Sequence, residues 1–440
     1  MSKVDASGWS FETLAVRAGQ ERSQFGEHSE ALYLTSSFVF ENAAQAAARF
    51  SGEEPGNVYA RFTNPTVTTM QERLAALEGA EACVATATGM AAILSTVMAL
   101  MKSGEHIVAS RSIFGATQQL FGNILPRFGV DTSFVDTGTV EGFRAALRAT
   151  TRLVFIETPS NPLTEVFDIA ALAAVAHSAG ALLVVDNCFC TPALQRPLEL
   201  GADLVMHSAT KFLGGHGVAI GGLLVDGGRF DWDQAGKSAG KFATLTEAYQ
   251  GFHGMDFAEE STVAAFLLRA RREGLRDFGA CMSPLTAFQI LQGVETLPLR
   301  MARHVDNTRK IVAHLVAHPQ VESVSYPELP GHPDYELAKR LLPKGCGAVF
   351  SFVLKGGAGG TRLAGKRFIE SLRVFSHLAN VGDAKSLVIH PASTTHFRMS
   401  PEALAAAGIF EGTVRLSVGL ENAEDLIEDL NRGLYAAQKS

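Results

Sequence analysis

The 440-residue chain carries 38 Lys and Arg against 45 Asp and Glu, a formal net charge of -7, with 47% hydrophobic and 19% charged residues. That balance excludes a disordered chain, and an acidic total without a dense Lys/Arg cluster argues against a nucleic-acid partner. The length exceeds what one ordinary core supports, so two domains and an arm are expected.

Five cysteines, Cys83, Cys188, Cys190, Cys281 and Cys346, form no CxxC pair. This disfavours a disulfide framework or a zinc site and suits a reducing cytoplasm. The opening MSKVDASGWSFE lacks the apolar core of a signal peptide, and no apolar run reaches bilayer-spanning length, so no membrane association is expected.

Residues 1–66 alternate short apolar pieces with polar turns, from Glu30–Phe40 through an Ala-rich helical piece to Ser51–Asn57. So little periodic structure over such a span reads as an arm that packs on something else, a neighbouring subunit being the obvious candidate. It closes on Val58-Tyr59-Ala60-Arg61, where a tyrosine and an arginine two apart in extended chain would share a side and reach one anion. A tyrosine packing at a surface with an arginine beside it is the equal alternative.

From Val67 the pattern turns helical and stops at Gly79. After a strand at Ala82–Ala85, Thr86-Ala87-Thr88-Gly89-Met90 opens an apolar helix ending before Gly104. Free N–H groups and the positive dipole end at such a turn suit a phosphate, although a Thr N-cap is also common for structural reasons. Strands are expected at His106–Ser110, Leu153–Ile156, Ala181–Val185, Leu204–Met206 and Ile220–Val225, with amphipathic helices between them. Continuous apolar strands of this kind imply a mostly parallel sheet covered on both faces. Ligands of open α/β sheets bind beyond the carboxyl ends of the strands.

Glu157, Asn161, Asp186, Ser208 and Lys211 all fall at those ends. Singly, Asp186 is a turn residue and Lys211 a solvated lysine. Together with the anion-binding turn they form the set that pyridoxal 5'-phosphate requires: a lysine for the Schiff base, a carboxylate that keeps the ring nitrogen protonated, and a phosphate cradle that includes Ser208 and Thr210. Phe114, shortly after another strand, suits stacking on the ring or an ordinary place in the core.

Residues 230–260, with Trp232, Tyr249, Phe252 and His253, show no period and read as an excursion near the site or at an interface. Arg269–Arg276 reads as a charged helical end. One long helix is expected from Pro284 through Leu297 and Met301 to Ala317, leading to a smaller α/β domain with a strand at Ala348–Leu354. In that domain Phe375–Asp383 and His390–His396 are turn-rich candidate site loops. Arg415, in the strand Thr413–Leu420, either grips a carboxylate or faces solvent. The HxxxxxH spacing of His390 and His396 on an irregular loop is a poor metal pattern.

The segments YARFTNPT, ATGM, ETPSNP, VVDNCF, HSATK, GDAKSLVIHPASTTH and VRLSVGLE together resemble the Cys/Met-metabolism family of fold-type I pyridoxal-phosphate enzymes, over nearly the whole chain. Within it the chain is most similar to the homoserine-ester sulfhydrylases. GEHSEALYLTSSFVF and VVDNCFCTPALQRPL are similar to the O-succinylhomoserine enzymes; KFLGGHG, GGRFDW and FSHLANVGDAKSL are similar to the O-acetylhomoserine enzymes.

The resemblance implies an arm at 1–66, a large cofactor-binding domain at 67–290 and a C-terminal domain at 291–440. It makes Lys211 the Schiff-base lysine and Asp186 the pyridinium partner, and it gives the phosphate to Ser208, Thr210, Gly89 and Met90, with Phe114 on the ring. Tyr59 and Arg61 would serve a neighbouring subunit's phosphate, in a homotetramer built from active dimers. Asn161, Asn380 and Arg415 would bind substrate.

The implied reaction is γ-replacement on an O-acylhomoserine by sulfide, giving homocysteine for methionine biosynthesis in the cytoplasm. Cystathionine γ-synthase or γ-lyase chemistry, and a cofactor-binding regulator, are the alternatives. Many relatives carry tyrosine at position 114 and serine at 380. Phe114 stacks but handles no proton, which leaves more of that traffic to Lys211.

Overall fold

The computed structural model describes all residues except 1–5, 137, 233, 236–239, 253, 262–263, 357–360, 395–396, 398–403, 405–407 and 439–440. His253 and His396 therefore lie outside the described residues.

Two sheets organise the chain. The larger contains β1 (Ala82–Thr86), β2 (His106–Ser110), β3 (Asp131–Val135), β4 (Thr151–Glu157), β5 (Leu182–Asp186), β6 (Leu204–Ser208) and β7 (Gly222–Asp226), in the order β1-β7-β6-β5-β4-β2-β3. Strands β3, β2, β4, β5 and β6 pair in parallel, and β7 runs antiparallel to both β6 and β1. Strands β2, β4, β5 and β7 are buried at every position, as continuous apolar runs covered on both faces should be.

β3 escaped the sequence reading because its burial is partial and three of its five residues, Asp131, Thr132 and Ser133, are polar. The strand expected from Ile220 begins at Gly222, since Ile220 is exposed.

The smaller sheet has β8 (Val321–Ser325), β9 (Val349–Leu354), β10 (Ser376–His377), β11 (Leu387–Ile389) and β12 (Thr413–Ser417), in the order β10-β11-β12-β9-β8. The expected single helix from Pro284 to Ala317 is two, Pro284–Glu295 and Leu297–Ala317, broken at Thr296 with Pro298 in the first turn of the second. A proline suits a first turn, where its missing N–H costs nothing, and disfavours helical continuation through its predecessor.

The 230–260 excursion is partly core. Trp232, Phe242 and Phe257 are buried, and Phe230, Trp232 and Phe242 pack edge to face with centroids 4.8–5.5 Å apart. Arg269–Arg276 is helical with a wide turn: Ala265–Arg269 continues into a π-helix at Ala270–Asp277. Among the described residues no helix is long and apolar enough to cross a membrane.

Candidate active site

Glu157, Asp186 and Ser208 are the last residues of β4, β5 and β6, and Glu157 pairs in register with Asp186. Lys211 follows in a tight turn: its N–H donates to the Ser208 carbonyl at 3.1 Å, and its own carbonyl accepts the Gly215 N–H at 2.8 Å. Burial depresses the Lys211 ammonium, as expected for an amine removed from water. Its Nζ donates to Asn380 Oδ1. Asp186 Oδ1 accepts the Cys188 N–H at 3.1 Å, and burial raises its carboxyl.

Glu157 is pushed up well above the carboxylate range, first by burial and then by Asp186 beside it. Its Oε2 accepts the Phe114 N–H at 2.8 Å, which anchors Phe114 at the strand ends while leaving it 49% exposed.

The anion-binding turn lies against these strands. The helix Gly89–Leu100 is N-capped by Thr88, whose hydroxyl takes the Ala91 N–H at 2.9 Å; the first-turn N–H groups of Gly89 and Met90 have no place in the helical ladder. A Cβ on Gly89 would lie 2.9 Å from Ser208 Cβ, and one on Gly222 would lie 2.1 Å from the Thr88 carbonyl oxygen. Glycine at both positions lets the helix start reach the end of β6, and this close approach makes a cradle for a small anion. The Thr210 hydroxyl is engaged elsewhere: its Oγ1 accepts the Gly221 N–H at 3.1 Å and donates to the Gly221 carbonyl at 3.4 Å.

Arg415 points inward from β12 and is buried. Its Nη1 donates to Asn161 Oδ1 at 3.1 Å and its Nη2 to the Asn380 carbonyl at 3.2 Å, both uncharged acceptors. Burial lowers its guanidinium to about 10. A buried cation held by neutral groups is costly unless an anion completes it. The Asn161 loop is clamped from the small sheet, where Ser351 Oγ donates to the Pro162 carbonyl at 2.9 Å and Ser325 Oγ to the Leu163 carbonyl at 2.7 Å.

Lys211, Asp186, Ser208, Gly89, Phe114, Asn161, Asn380 and Arg415 thus gather at one end of the large sheet. Tyr59 and Arg61 do not join them through any contact described. Tyr59 forms an isolated antiparallel bridge with Ser37, but the chain then turns, with the Phe62 and Thr63 N–H groups on the Tyr59 carbonyl, so Arg61 lies in a turn and not in the extended chain expected. Arg61 stacks 5.3 Å from the Tyr59 ring centroid and donates to the Arg276 carbonyl. His390 is committed to structural partners, with ring nitrogens on Ser393 Oγ in its own loop and on the Glu411 carbonyl ahead of β12, at 2.8 and 2.7 Å.

Sequence reasoning passed over Arg300. It is buried, and donates to the carbonyls of Phe212 at 2.8 Å, Leu213 at 3.3 Å and Gly293 at 2.6 Å, bracing the turn after Lys211. Its signal was periodicity: Leu297, Arg300, Met301 and His304 form one helical stripe, and all are buried. The fully buried pair of Glu78, which ends the helix Pro65–Glu78, and His207 of β6, 2.5 Å apart, gave no such signal.

An α/β fold with a lysine, a carboxylate and an anion cradle at neighbouring strand ends defines a class of enzymes that hold an aldehyde cofactor bearing a phosphate. Residues 12–435 match the family model of Cys/Met metabolism PLP-dependent enzymes, and the chain belongs to that family. It is 48% identical to the O-succinylhomoserine sulfhydrylase of Pseudomonas aeruginosa, across 98% of this chain and 97% of that protein. It is 44% identical to the O-acetyl-L-homoserine sulfhydrylase of Leptospira meyeri, across 96% of each.

A solved structure from Campylobacter jejuni, described as an O-acetylhomoserine (thiol)-lyase carrying a pyridoxyl-lysine monophosphate, superposes with a TM-score of 0.92 at 34% identity, covering 97% of this chain and all of that one. The cofactor is pyridoxal 5'-phosphate, and the large mostly parallel sheet with its smaller companion is the fold-type I architecture.

Proposed function

We propose that the protein makes homocysteine from an O-acylhomoserine and sulfide, with Lys211 as the residue that holds the cofactor and moves the substrate's protons. The observation that carries this reading is the convergence of Lys211, Asp186 and the Gly89 cradle at adjoining strand ends. The 48% and 44% identical sulfhydrylases support the substrate class.

The residues present fit the cofactor. The Gly89 and Met90 N–H groups, with Ser208, would take its phosphate; Thr210, already bonded to Gly221, would steady that loop and offer its hydroxyl as a secondary partner. Asp186 would face the ring nitrogen, and Phe114 would cover the ring. Once bound, the cofactor supplies an electron sink that acidifies the substrate's α- and β-carbons.

Arg415 receives the α-carboxylate as a two-pronged partner, oriented by Asn161 and the Asn380 carbonyl. Lys211, with an amine made easier to deprotonate by burial, moves one proton at a time: it accepts the α-proton, gives that proton up again, and only then accepts a β-proton, returning protons later to the product. The γ-ester departs as a carboxylate and sulfide takes its place. Phe114 has no hydroxyl, so Lys211 performs these transfers without help from that position. Asn380 Oδ1 holds the Lys211 amine when it is free.

Chain segments 1–66, 67–290 and 291–440 act as arm, large domain and C-terminal domain of a cytoplasmic homotetramer. In this reading Tyr59 and Arg61 complete the phosphate site of the adjoining copy in each active dimer. The test is steady-state turnover of O-acetyl- and O-succinylhomoserine at equal sulfide, with homocysteine as the measured product. Formation of 2-oxobutyrate in place of homocysteine would defeat the proposal in favour of a lyase, and turnover with cysteine but not sulfide would defeat it in favour of cystathionine synthesis.

A further inference from the structure

Cys188 lies two residues beyond Asp186 in the loop after β5, and it is buried. Its backbone N–H donates to Asp186 Oδ1 at 3.1 Å. Its sulfur accepts the Ser208 N–H at 2.8 Å, across from β5 to the end of β6. Its thiol also lies beside the Asp186 carboxylate, near enough for each group to shift the other's protonation. One side chain therefore touches both the residue that would face the cofactor's ring nitrogen and the strand end that would face its phosphate.

We propose that Cys188 is a positioning residue for the cofactor, its S–H donating to Asp186 while its sulfur accepts from Ser208, so that the two ends of the cradle are held at a fixed spacing. This rests on the reading of Asp186 and Ser208 given above.

The chemistry favours a group that both donates and accepts. Asp186 is buried, and a buried carboxylate is stabilised in its charged form by each hydrogen bond it accepts. The Ser208 N–H ends a strand at the point where the ladder gives way to the Lys211 turn, and it too requires an acceptor. A thiol meets both needs weakly and a hydroxyl meets them strongly, whereas a methyl group meets neither. Burial and the neighbouring Asp186 push the Cys188 thiol well up, so it stays protonated and able to donate. A cysteine serving only as a small apolar filler is the competing account. Ala would then be as good as Ser.

The experiment compares Cys188→Ala and Cys188→Ser in the holoenzyme without substrate. It reads the pH midpoint of the bound cofactor's visible absorbance and the cofactor dissociation constant. Loss of the donor in Cys188→Ala makes Asp186 more basic and weakens its hold on a protonated ring nitrogen. The midpoint should rise by about half a unit or more, and cofactor dissociation should weaken about fivefold. Cys188→Ser should keep the dissociation constant within about twofold and move the midpoint the other way.

Equal effects of the two substitutions, or no effect of either, would overturn the proposal. If Cys188→Ala does not fold, a downward midpoint in Cys188→Ser supports it and an unmoved one overturns it. Asp186→Asn is the separate control: an unchanged absorbance there would refute the placement of Asp186 itself, whatever Cys188 does.

Discussion

Lys211, Asp186 and Arg415 are held by elements of the molecule's own core, whereas Tyr59 and Arg61 end an arm whose Phe25, Leu34, Val39 and Phe50 are 84%, 67%, 93% and 64% exposed. The arm's helix Ala43–Ser51 buries no residue against the rest of the chain, yet the earlier helix Phe11–Arg17 docks by Leu14 and Ala15. So much exposed apolar surface in one segment is what a covered interface leaves on an isolated subunit. The strand-end cluster gets its geometry from folding; the arm would get its function from assembly.

The sharpest way to break this comparison is at its best-supported member. Lys211→Ala should lower turnover by about a thousandfold or more, the scale of a lost proton-transfer group. Protein stability should change little beside that. In the intact enzyme, activity should fall on the acid side as Lys211 gains a proton, with the limb lying below the range of an ordinary lysine because burial depresses it. A pH profile of kcat, which reports the complex in which substrate has freed the Lys211 amine, checks this.

Arg415→Ala comes next, at about a hundredfold in kcat/KM for the loss of a two-pronged charged contact. Arg415→Lys should recover little, since a point charge cannot reproduce the fork that now spans Asn161 and Asn380. Saturation kinetics with the better ester measures both.

Tyr59 and Arg61 test the other region. A combined Tyr59→Phe, Arg61→Ala protein should bind the cofactor about tenfold or more weakly if the arm serves a phosphate. Mixed with Lys211→Ala protein and allowed to exchange subunits, it should give more activity than the two proteins apart, because some sites then combine an intact lysine with an intact arm. Simple addition of the two residual activities would place the arm in its own chain's site instead.

The same contrast marks how far the sequence could be read. Asp186, Ser208 and Lys211 were legible because strand ends follow from apolar runs, and ligand sites of open sheets follow from strand ends. The inward direction of Arg415 was not legible, since a period of two assigns alternate faces but does not say which face the helices cover. Nor was β3, whose polar residues pair only at the sheet's edge. Periodicity puts Arg300 on the buried stripe of its helix, but that its guanidinium braces the carbonyls of the turn after Lys211 depends on contacts 87 and 88 residues away in sequence, which no local pattern encodes. Cys188 and the Glu78–His207 pair depend on which groups meet between elements distant in sequence, and no local pattern encodes that. In residues 230–260 the absence of a period hid the core contribution, which comes from a few large aromatics spaced irregularly along the chain.

The far end of the large sheet supplies the smallest effect and a control for the rest. His177, in the last turn of the helix Ile169–Ser178, places Nε2 2.9 Å from Asp203 Oδ2, and that same oxygen accepts the Leu183 N–H at 2.7 Å. Asp203 directly precedes β6, so this pair sits at the opposite end of the strand from Ser208 and Lys211. The hydrogen bond to Asp203 raises the imidazolium above its ordinary value. A base whose folded value is raised adds stability that is fully present below the unfolded value of about 6.5 and is lost as pH rises through the folded one. The ring side chain is 43% exposed, so solvent screening limits the contribution to about 0.5 kcal/mol. His177→Gln should therefore lower stability by that amount near pH 5.5, by less above pH 8, and by less again in high salt, as urea melts at the two pH values would show. Turnover should not change, because nothing in the pair reaches the strand ends that carry Lys211. A loss of activity in this variant would mean that the two ends of the sheet are coupled and that the site depends on more than the elements that bound it.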